Sequence, residues 1–126
     1  MTRFLVATGS VHTTAAACDY LGSRAGPDDE VLVLAVEELG MADRDPGDAT
    51  NVARTRLLDP TVETLVREGD PATEILAVAG DRDVAVIVVG PHQGDPDAAG
   101  EAPGSTTRQL LREAGRPVVV VPLATG

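Results

Sequence analysis

Four runs of apolar residues alternate along the chain with segments that have the spacing of amphipathic helices. The runs cover residues 4–7, 31–36, 84–89 and 118–121. Each run is apolar at nearly every position, which is typical of parallel strands covered by helices on both faces. A fifth segment, from Thr61 to Val66, alternates between apolar and polar positions, so it is predicted to be a strand at one edge of the sheet.

Helices are predicted between these strands, at residues 12–24, 72–79 and 106–114, with a shorter one at 51–58. Asp70 is a suitable cap for the second of the long helices, and Pro71 suits its first position. Residues 41–50 are rich in Asp, Gly and Pro and are predicted to form a loop. The alternation of strands and helices predicts an α/β fold with a parallel sheet and helices on both faces.

Composition supports one compact domain over residues 1–126, because 43% of the residues are hydrophobic and the chain is too short for two domains. The 20 acidic residues outnumber the 10 basic ones, and the net charge is −10. Such a surface repels the phosphates of nucleic acids and of anionic membranes, so neither is an expected partner. Every basic residue is Arg, which fits either a halophilic protein or a GC-rich genome.

The chain offers no sign of disulfide chemistry or membrane insertion. Cys18 is the single cysteine, which excludes an intramolecular disulfide, and it is expected to be a packed core residue. No apolar run reaches the ~18 residues that a membrane span requires. The N-terminus lacks the zones of a signal peptide, and the expected location is therefore cytoplasmic.

The segment after the strand at 84–89 is the strongest candidate for a binding site. Gly90, Gly94 and Gly104 have the spacing G-x3-G-x9-G, and Ser105 and Thr106 follow at the start of a predicted helix. Glycines allow the backbone to approach a ligand closely, and the free N–H groups of a helix start favour an anion, so a phosphate is expected here. Two structural alternatives stay open, namely that the glycines serve only turns and that the hydroxyls serve only as a helix cap.

The loop after the first strand, at residues 7–10, is expected beside this segment, because ligands of open parallel sheets bind beyond the carboxyl ends of strands where the connections reverse direction. His92 and the carboxylates Asp95, Asp97 and Glu101 belong to the glycine-rich segment. The carboxylates could hold Mg²⁺ beside a polyphosphate or simply face solvent. No set of nucleophile and base can be assembled, so no catalytic residue is predicted, and an enzyme, at most a weak ATPase, is the least favoured interpretation.

The sequence contains the stretches FLVATGS, EVLVLAV, VREGDPATEIL, DVAVIVVGPHQG and GSTTRQLLREAGRPVVVVP. Together these stretches resemble the universal stress protein family. This resemblance implies a Rossmann-like, five-stranded parallel sheet of order 3-2-1-4-5, akin to the adenine nucleotide alpha hydrolases, and a dimer. One branch of the family binds ATP through G-x2-G-x9-G followed by Ser or Thr. This chain matches that motif except for one extra residue between Gly90 and Gly94.

Thr8 is a second departure from the ATP-binding branch, whose members typically have Asp immediately before the Gly-Ser that follows the first strand. A threonine hydroxyl cannot make the charged, bidentate contact that a carboxylate makes to ribose. Two functions therefore stay open: a stress-response regulatory module that binds ATP weakly, with or without Mg²⁺, and a nucleotide-free dimeric interaction protein. The residues narrowly favour the first. Its predicted nucleotide-binding residues are Ala7, Thr8, Val36, Gly90, Gly94, Gly104, Ser105 and Thr106.

The last apolar run predicts a homodimer. Four valines, Val118, Val119, Val120 and Val121, form a strand at the predicted edge of the sheet. An uncovered edge is a template for pairing with a second chain, and a two-fold axis would close the pair. Pro117 and Pro122 bracket the run and would stop the pairing from spreading, because neither donates a backbone hydrogen bond.

Overall fold

The computed structural model describes residues 2–8, 11–37, 53, 56–58, 60–90 and 105–122. The strands in these ranges are β1 (Arg3–Thr8), β2 (Glu30–Glu37), β3 (Thr61–Glu68), β4 (Val86–Val89) and β5 (Val118–Val120). The helices are α1 (Val11–Leu21), α2 (Pro71–Asp81) and α3 (Ser105–Glu113). Every strand pairs in parallel with its neighbours.

The strands form one sheet in the order β3-β2-β1-β4-β5, which confirms the predicted fold class and the strand order that the family resemblance implies. The apolar runs of β1, β2 and β4 lie side by side in its centre, where Val6 of β1 is opposite Val33 of β2 and Val88 of β4. β3 lies at one edge, as its alternating sequence predicts, and β5 lies at the other. The reversal of connection direction therefore falls between β1 and β4.

Successive side chains of each central strand point to opposite faces, so the sheet has a core on either side. On one face, Val6, Val33 and Val88 pack with residues of α1 that include Leu21. On the other face, the core contains residues from α2 and from α3 together with the strands' remaining apolar side chains. No helix among the described residues combines the length and apolar character needed to cross a membrane.

Cys18 belongs to the core under α1, as its sequence context predicts. Burial raises the pKa of its thiol to about 11, and the smaller effect of Arg56 acts in the opposite direction. A thiol with so high a pKa is almost fully protonated at neutral pH, so it is a poor nucleophile. Cys18 is a packing residue.

Element boundaries differ from the sequence predictions by a few residues. Helix α1 ends at Leu21 instead of residue 24, because the chain turns there and the N–H groups of Arg24 and Ala25 both donate to the Leu21 carbonyl. Val84 lies outside β4, since its N–H donates to the carbonyl of Ala79 at the end of α2. These differences arise at helix ends, where hydrogen bonds that close the last turn compete with the sheet.

Two other sequence predictions fall partly or wholly outside the described residues. Within the predicted short helix at 51–58, Ala53 and Arg56 are helical, and the Leu57 N–H donates to the Ala53 carbonyl at 2.9 Å. The predicted loop at 41–50 lies outside the described residues, as do His92 and most of the glycine-rich segment.

The start of α2 supports a prediction about acid. Asp70 is the N-cap, and its carboxylate accepts hydrogen bonds from the backbone N–H and the hydroxyl of Thr73, at 3.0 and 2.8 Å. Both bonds lower the pKa of Asp70, and the bond from the backbone N–H has the larger effect. A lowered folded-state pKa means that the stabilisation is present above the ordinary pKa of aspartate and is lost as pH falls through the folded value.

We therefore expect the wild type to melt above the Asp70→Asn variant at neutral pH, with a gap that closes as pH falls below the ordinary range of an aspartate. Asn still caps a helix but carries no charge that could titrate, which makes it the matched comparison. Melting temperatures measured by circular dichroism from pH 7 to pH 2 test this. A gap that stays constant over that range would show that the charge of Asp70 contributes nothing.

Candidate functional site

A pocket opens at the carboxyl end of the sheet, over β1, β2 and β4. The ends of these strands and the first turns of α2 and α3 surround it. Its volume is about 420 Å³ when the open mouth is included. The residues that line it are Ala7, Thr8, Leu34, Val36, Pro71, Ile75, Val89, Gly90, Thr106 and Thr107.

Most of the residues predicted from the sequence to bind nucleotide come together in this pocket. Five of them, namely Ala7, Thr8, Val36, Gly90 and Thr106, line it directly. Ser105 is the first residue of α3, next to the lining, while Gly94 and Gly104 lie outside the described residues. The crevice expected between the loops after the first and fourth strands is therefore present as a pocket, and nucleotide binding there remains a prediction.

One wall of the pocket is apolar and was missed in large part by the sequence analysis. Leu34 and Val36 stand two residues apart on β2, so both point to the same face of the sheet. Pro71 and Ile75 stand four residues apart on α2, which places them on one face of that helix. The sequence signal that could have predicted this wall is the i, i+4 spacing of Pro71 and Ile75 at the start of a helix that follows a strand. This wall can hold a flat, apolar ring.

The opposite wall joins the end of β4 to the start of α3. The hydroxyl of Thr107 donates to the Gly90 carbonyl at 2.9 Å, and both groups are buried. This bond holds the first turn of α3 beside the strand. The sequence analysis did not single out Thr107, because Ser105 and Thr106 on either side of the predicted boundary look equally able to cap the helix.

The two helix starts at the pocket differ in charge. The start of α2 has its own carboxylate, Asp70, as a cap. The first turn of α3 contains no acidic residue. The first N–H groups of any α-helix have no partner within the helix and carry a partial positive charge. The start of α3 is therefore the one of the two that favours an anionic ligand.

Gly90 is needed because another side chain approaches it closely. A Cβ atom added at Gly90 would lie 3.2 Å from both Cγ2 and Oγ1 of Thr13, which is buried in α1. That separation is tighter than an ordinary van der Waals contact. Gly90 thus lets α1 pack against the end of β4, and this packing role holds whether or not a ligand binds.

Thr8 is the last residue of β1 and one of the residues that line the pocket. Its side chain is buried, and the Thr14 hydroxyl donates to Thr8 Oγ1 at 2.8 Å. None of the ten described lining residues carries a charged side chain. Within that described lining, the polar groups are threonine hydroxyls and backbone groups.

A second hollow lies at the amino ends of β1, β2 and β3, at the other end of the sheet. Four of its charged side chains form two ion pairs, Arg3 with Glu30 and Arg82 with Glu63, each at 2.7 Å. Exposed pairs of this kind contribute little to stability. Over the part of the chain that the structure describes, no group of His, Cys, Asp or Glu is placed to hold a metal ion.

Comparison with known proteins agrees with this architecture. The model of the Universal stress protein family matches residues 1–122. Among solved structures, hypothetical protein MJ0577 has a TM-score of 0.80 at 20% identity, with 99% of this chain and 98% of that chain covered. No curated protein matches the chain.

Two further solved structures contain a nucleotide. A universal stress protein family protein from Arabidopsis thaliana with AMP bound has a TM-score of 0.69 at 16% identity, covering 98% of this chain and 93% of that chain. A universal stress protein in complex with cAMP has a TM-score of 0.68 at 15% identity, covering 98% of both chains. At these identities the likeness establishes the fold.

Proposed function

Because the chain belongs to the universal stress protein family, we propose that it is a stress-response regulatory module, in the cytoplasm, that binds ATP in the pocket at the carboxyl end of the sheet. The observation that carries the proposal is the pairing of an apolar wall with a helix start free of acidic residues across one pocket. Relatives of the same fold that hold AMP and cAMP support it.

The pocket suggests how the nucleotide lies. The adenine ring packs between Val36 and Ile75 on the apolar wall. The phosphates lie at the start of α3, near Gly90 and Thr106, where backbone N–H groups and the helix dipole favour an anion. Gly94, Gly104 and Ser105 complete the phosphate site in this proposal. β1 lies between β2 and β4 in the sheet, so the sugar lies over Ala7 and Thr8.

Binding is expected to be weak. The described lining has no Arg to neutralise phosphates, and the net charge of −10 repels a polyanion. Mg²⁺ or high salt reduces this repulsion, since the screening length is about 3 Å at 1 M salt and about 10 Å at 0.1 M. A dissociation constant between about 10 µM and 1 mM is the expected range.

Isothermal titration calorimetry with ATP and Mg²⁺ in 1 M KCl tests the proposal, with Arg82→Gln as a control at the opposite end of the sheet. Saturable heat is expected from both proteins and should weaken at 0.1 M KCl. The proposal fails if millimolar ATP produces neither heat nor a thermal shift.

Melting temperatures from the same salt series also test the halophilic interpretation, which requires stability to rise with KCl.

A nucleotide-free dimeric interaction protein is the second candidate. The uncharged described lining of the pocket favours it, together with the outer edge of β5, with which no other described strand pairs. On the β4 side, the Pro117 carbonyl accepts from the Ile87 N–H, and the Val121 N–H donates to the Val89 carbonyl. Backbone groups alternate in direction along a strand, so those of Val118 and Val120 point away from β4.

We extend the proposal to a homodimer in which two copies pair through these open edges, whether or not nucleotide binds. Val118, Val119 and Val120 provide the interface, and the side chain of Val120 is 37% exposed. Val121 was expected in the same interface. Its own chain leaves only 2% of it exposed, so it supports the edge from within the core. By contrast, the β3 edge carries charged side chains, which discourage pairing.

A further inference from the structure

We infer that the two-fold axis of the homodimer passes at Val119, so that Val118 of each copy pairs with Val120 of the other in an antiparallel ladder. This inference rests on the proposed homodimer and adds the register in which the two β5 edges meet. It follows from which backbone groups of β5 face outward and from the residues that stand at either end of the strand.

The outward backbone groups of β5 belong to Val118 and Val120. The Pro117 carbonyl and the Val121 N–H are bonded to β4, at 3.0 and 2.8 Å. The backbone groups of successive strand residues point to opposite sides, so those of Val119 are also directed to β4. Among the described strands, none pairs with the other side of β5.

A two-fold axis makes the two edges antiparallel, because an operation that pairs residue i with residue j must also pair j with i. With the axis at Val119, Val118 of one copy lies opposite Val120 of the other. Directly opposite residues whose backbone groups face each other exchange both N–H···O=C bonds. Every outward N–H and C=O of both residues therefore has a partner in this register.

The axis cannot move towards the end of the strand without loss of hydrogen bonds. With the axis at Val120, Val118 would lie opposite Pro122, which has no N–H to donate. The Val118 carbonyls would then be covered by the second copy without a donor, which costs free energy. Smaller shifts would place Val118 or Val120 opposite Val119, whose backbone groups are directed to β4.

The axis cannot move towards the start of the strand either. With the axis at Val118, Val120 would lie opposite Arg116, where the chain bends. Gly115, just before it, has a φ of 64°, outside the range of a strand. The Arg116 side chain also holds this bend in place, since its Nη1 donates to two backbone carbonyls, near the end of α2 and before β4, at 2.9 and 2.7 Å. Straightening the chain at Arg116 would disturb those bonds.

This register places the two Val119 side chains directly opposite each other. Val119 packs against the core under α1, so the contact lies on that face of the sheet. The pair is not hydrogen-bonded, and its Cα atoms are about 4.5 Å apart, within the range of about 4.4–6.8 Å that a disulfide spans. The two Val120 residues are diagonal neighbours about 7–8 Å apart, beyond that range, and so are the two Val118 residues.

Cysteine cross-linking locates the axis. Val118→Cys, Val119→Cys and Val120→Cys are each made in a Cys18→Ala background, which removes the native thiol, and are oxidised with diamide in 1 M KCl. We expect Val119→Cys to form covalent dimers at least about tenfold faster than either of the others, whose Cα separation exceeds the range of a disulfide. Mixing Val118→Cys with Val120→Cys before oxidation should restore fast cross-linking, since opposite residues of a hydrogen-bonded pair are about 5.5 Å apart.

The outcomes separate the register from the homodimer itself. Faster cross-linking of Val118→Cys or Val120→Cys alone would overturn the register and leave the homodimer intact, and so would a sedimenting dimer that no variant cross-links. If the wild type sediments as a single chain in 1 M KCl, the homodimer fails and the inference falls with it. Circular dichroism melts confirm that each variant folds. If Val119→Cys does not fold, the mixture of the other two decides, because only this register places them opposite each other.

Discussion

Replacing Gly90 with valine is expected to destabilise the protein by about 1–3 kcal/mol, the usual cost of adding side-chain atoms to a packed interior. The first added atom alone would lie 3.2 Å from two atoms of Thr13, and Thr13 is only 1% exposed, so a shift that relieves the contact would disturb its packed surroundings. A loss of this size lowers the melting temperature by roughly 4–15 °C. Thermal melts followed by circular dichroism measure it.

Two further variants separate this packing effect from a general effect of valine. Gly80→Val is the matched control, because a Cβ at Gly80 meets nothing within 4 Å, and its melting temperature should stay close to that of the wild type. Thr13→Ala removes the two atoms that the new Cβ would meet, so the double variant should recover about 0.5–3 kcal/mol relative to additivity. A Gly90→Val protein that melts like the wild type would disprove the close-packing account.

Replacing Val120 with lysine is expected to convert a dimer into a monomer. The wild type should sediment at about 26 kDa, twice the mass of the 13.0 kDa chain, and Val120→Lys at the mass of one chain. Two lysines close to the two-fold axis repel each other and lose hydration when the edges pair. Analytical ultracentrifugation in 1 M KCl is the measurement, because high salt weakens any repulsion between acidic surfaces.

Val66→Lys is the matched control for the dimer, since Val66 is also an exposed valine on an edge strand, 49% exposed on β3. That variant should sediment as the wild type does. A wild type that sediments as a single chain in 1 M KCl would refute pairing through β5. A dimer that survives Val120→Lys and dissociates with Val66→Lys would instead place the interface at β3.

The fold could be predicted from the sequence because continuous apolar runs indicate parallel strands buried on both faces. Val31 to Val36 is such a run, and it lies next to the centre of the sheet. The order of the strands could not be predicted from this pattern, because apolar periodicity is the same for any arrangement of buried strands. The order came from the family resemblance, which the structure confirms.

The site could be predicted from the sequence only in part, for the same physical reason. Glycine spacing and the helix start led to Gly90 and Thr106, because backbone approach and free N–H groups have local sequence signatures. Ile75 and Leu34 are ordinary core residues by sequence, and only the packing of α2 over β2 makes them a wall of the pocket. Similarly, the role of Thr14 depends on a hydrogen bond to Thr8, six residues earlier at the end of β1.

Titration of ¹⁵N-labelled protein with ATP and Mg²⁺ in 1 M KCl, followed by NMR, tests most directly whether nucleotide occupies this pocket. We expect saturable shifts of the backbone amides of Ala7, Gly90 and Thr107 around the pocket. The amides of Arg3 and Arg82, at the amino end of the sheet, should stay in place. Shifts confined to that opposite end, or no saturable shift at millimolar ATP, would contradict the account.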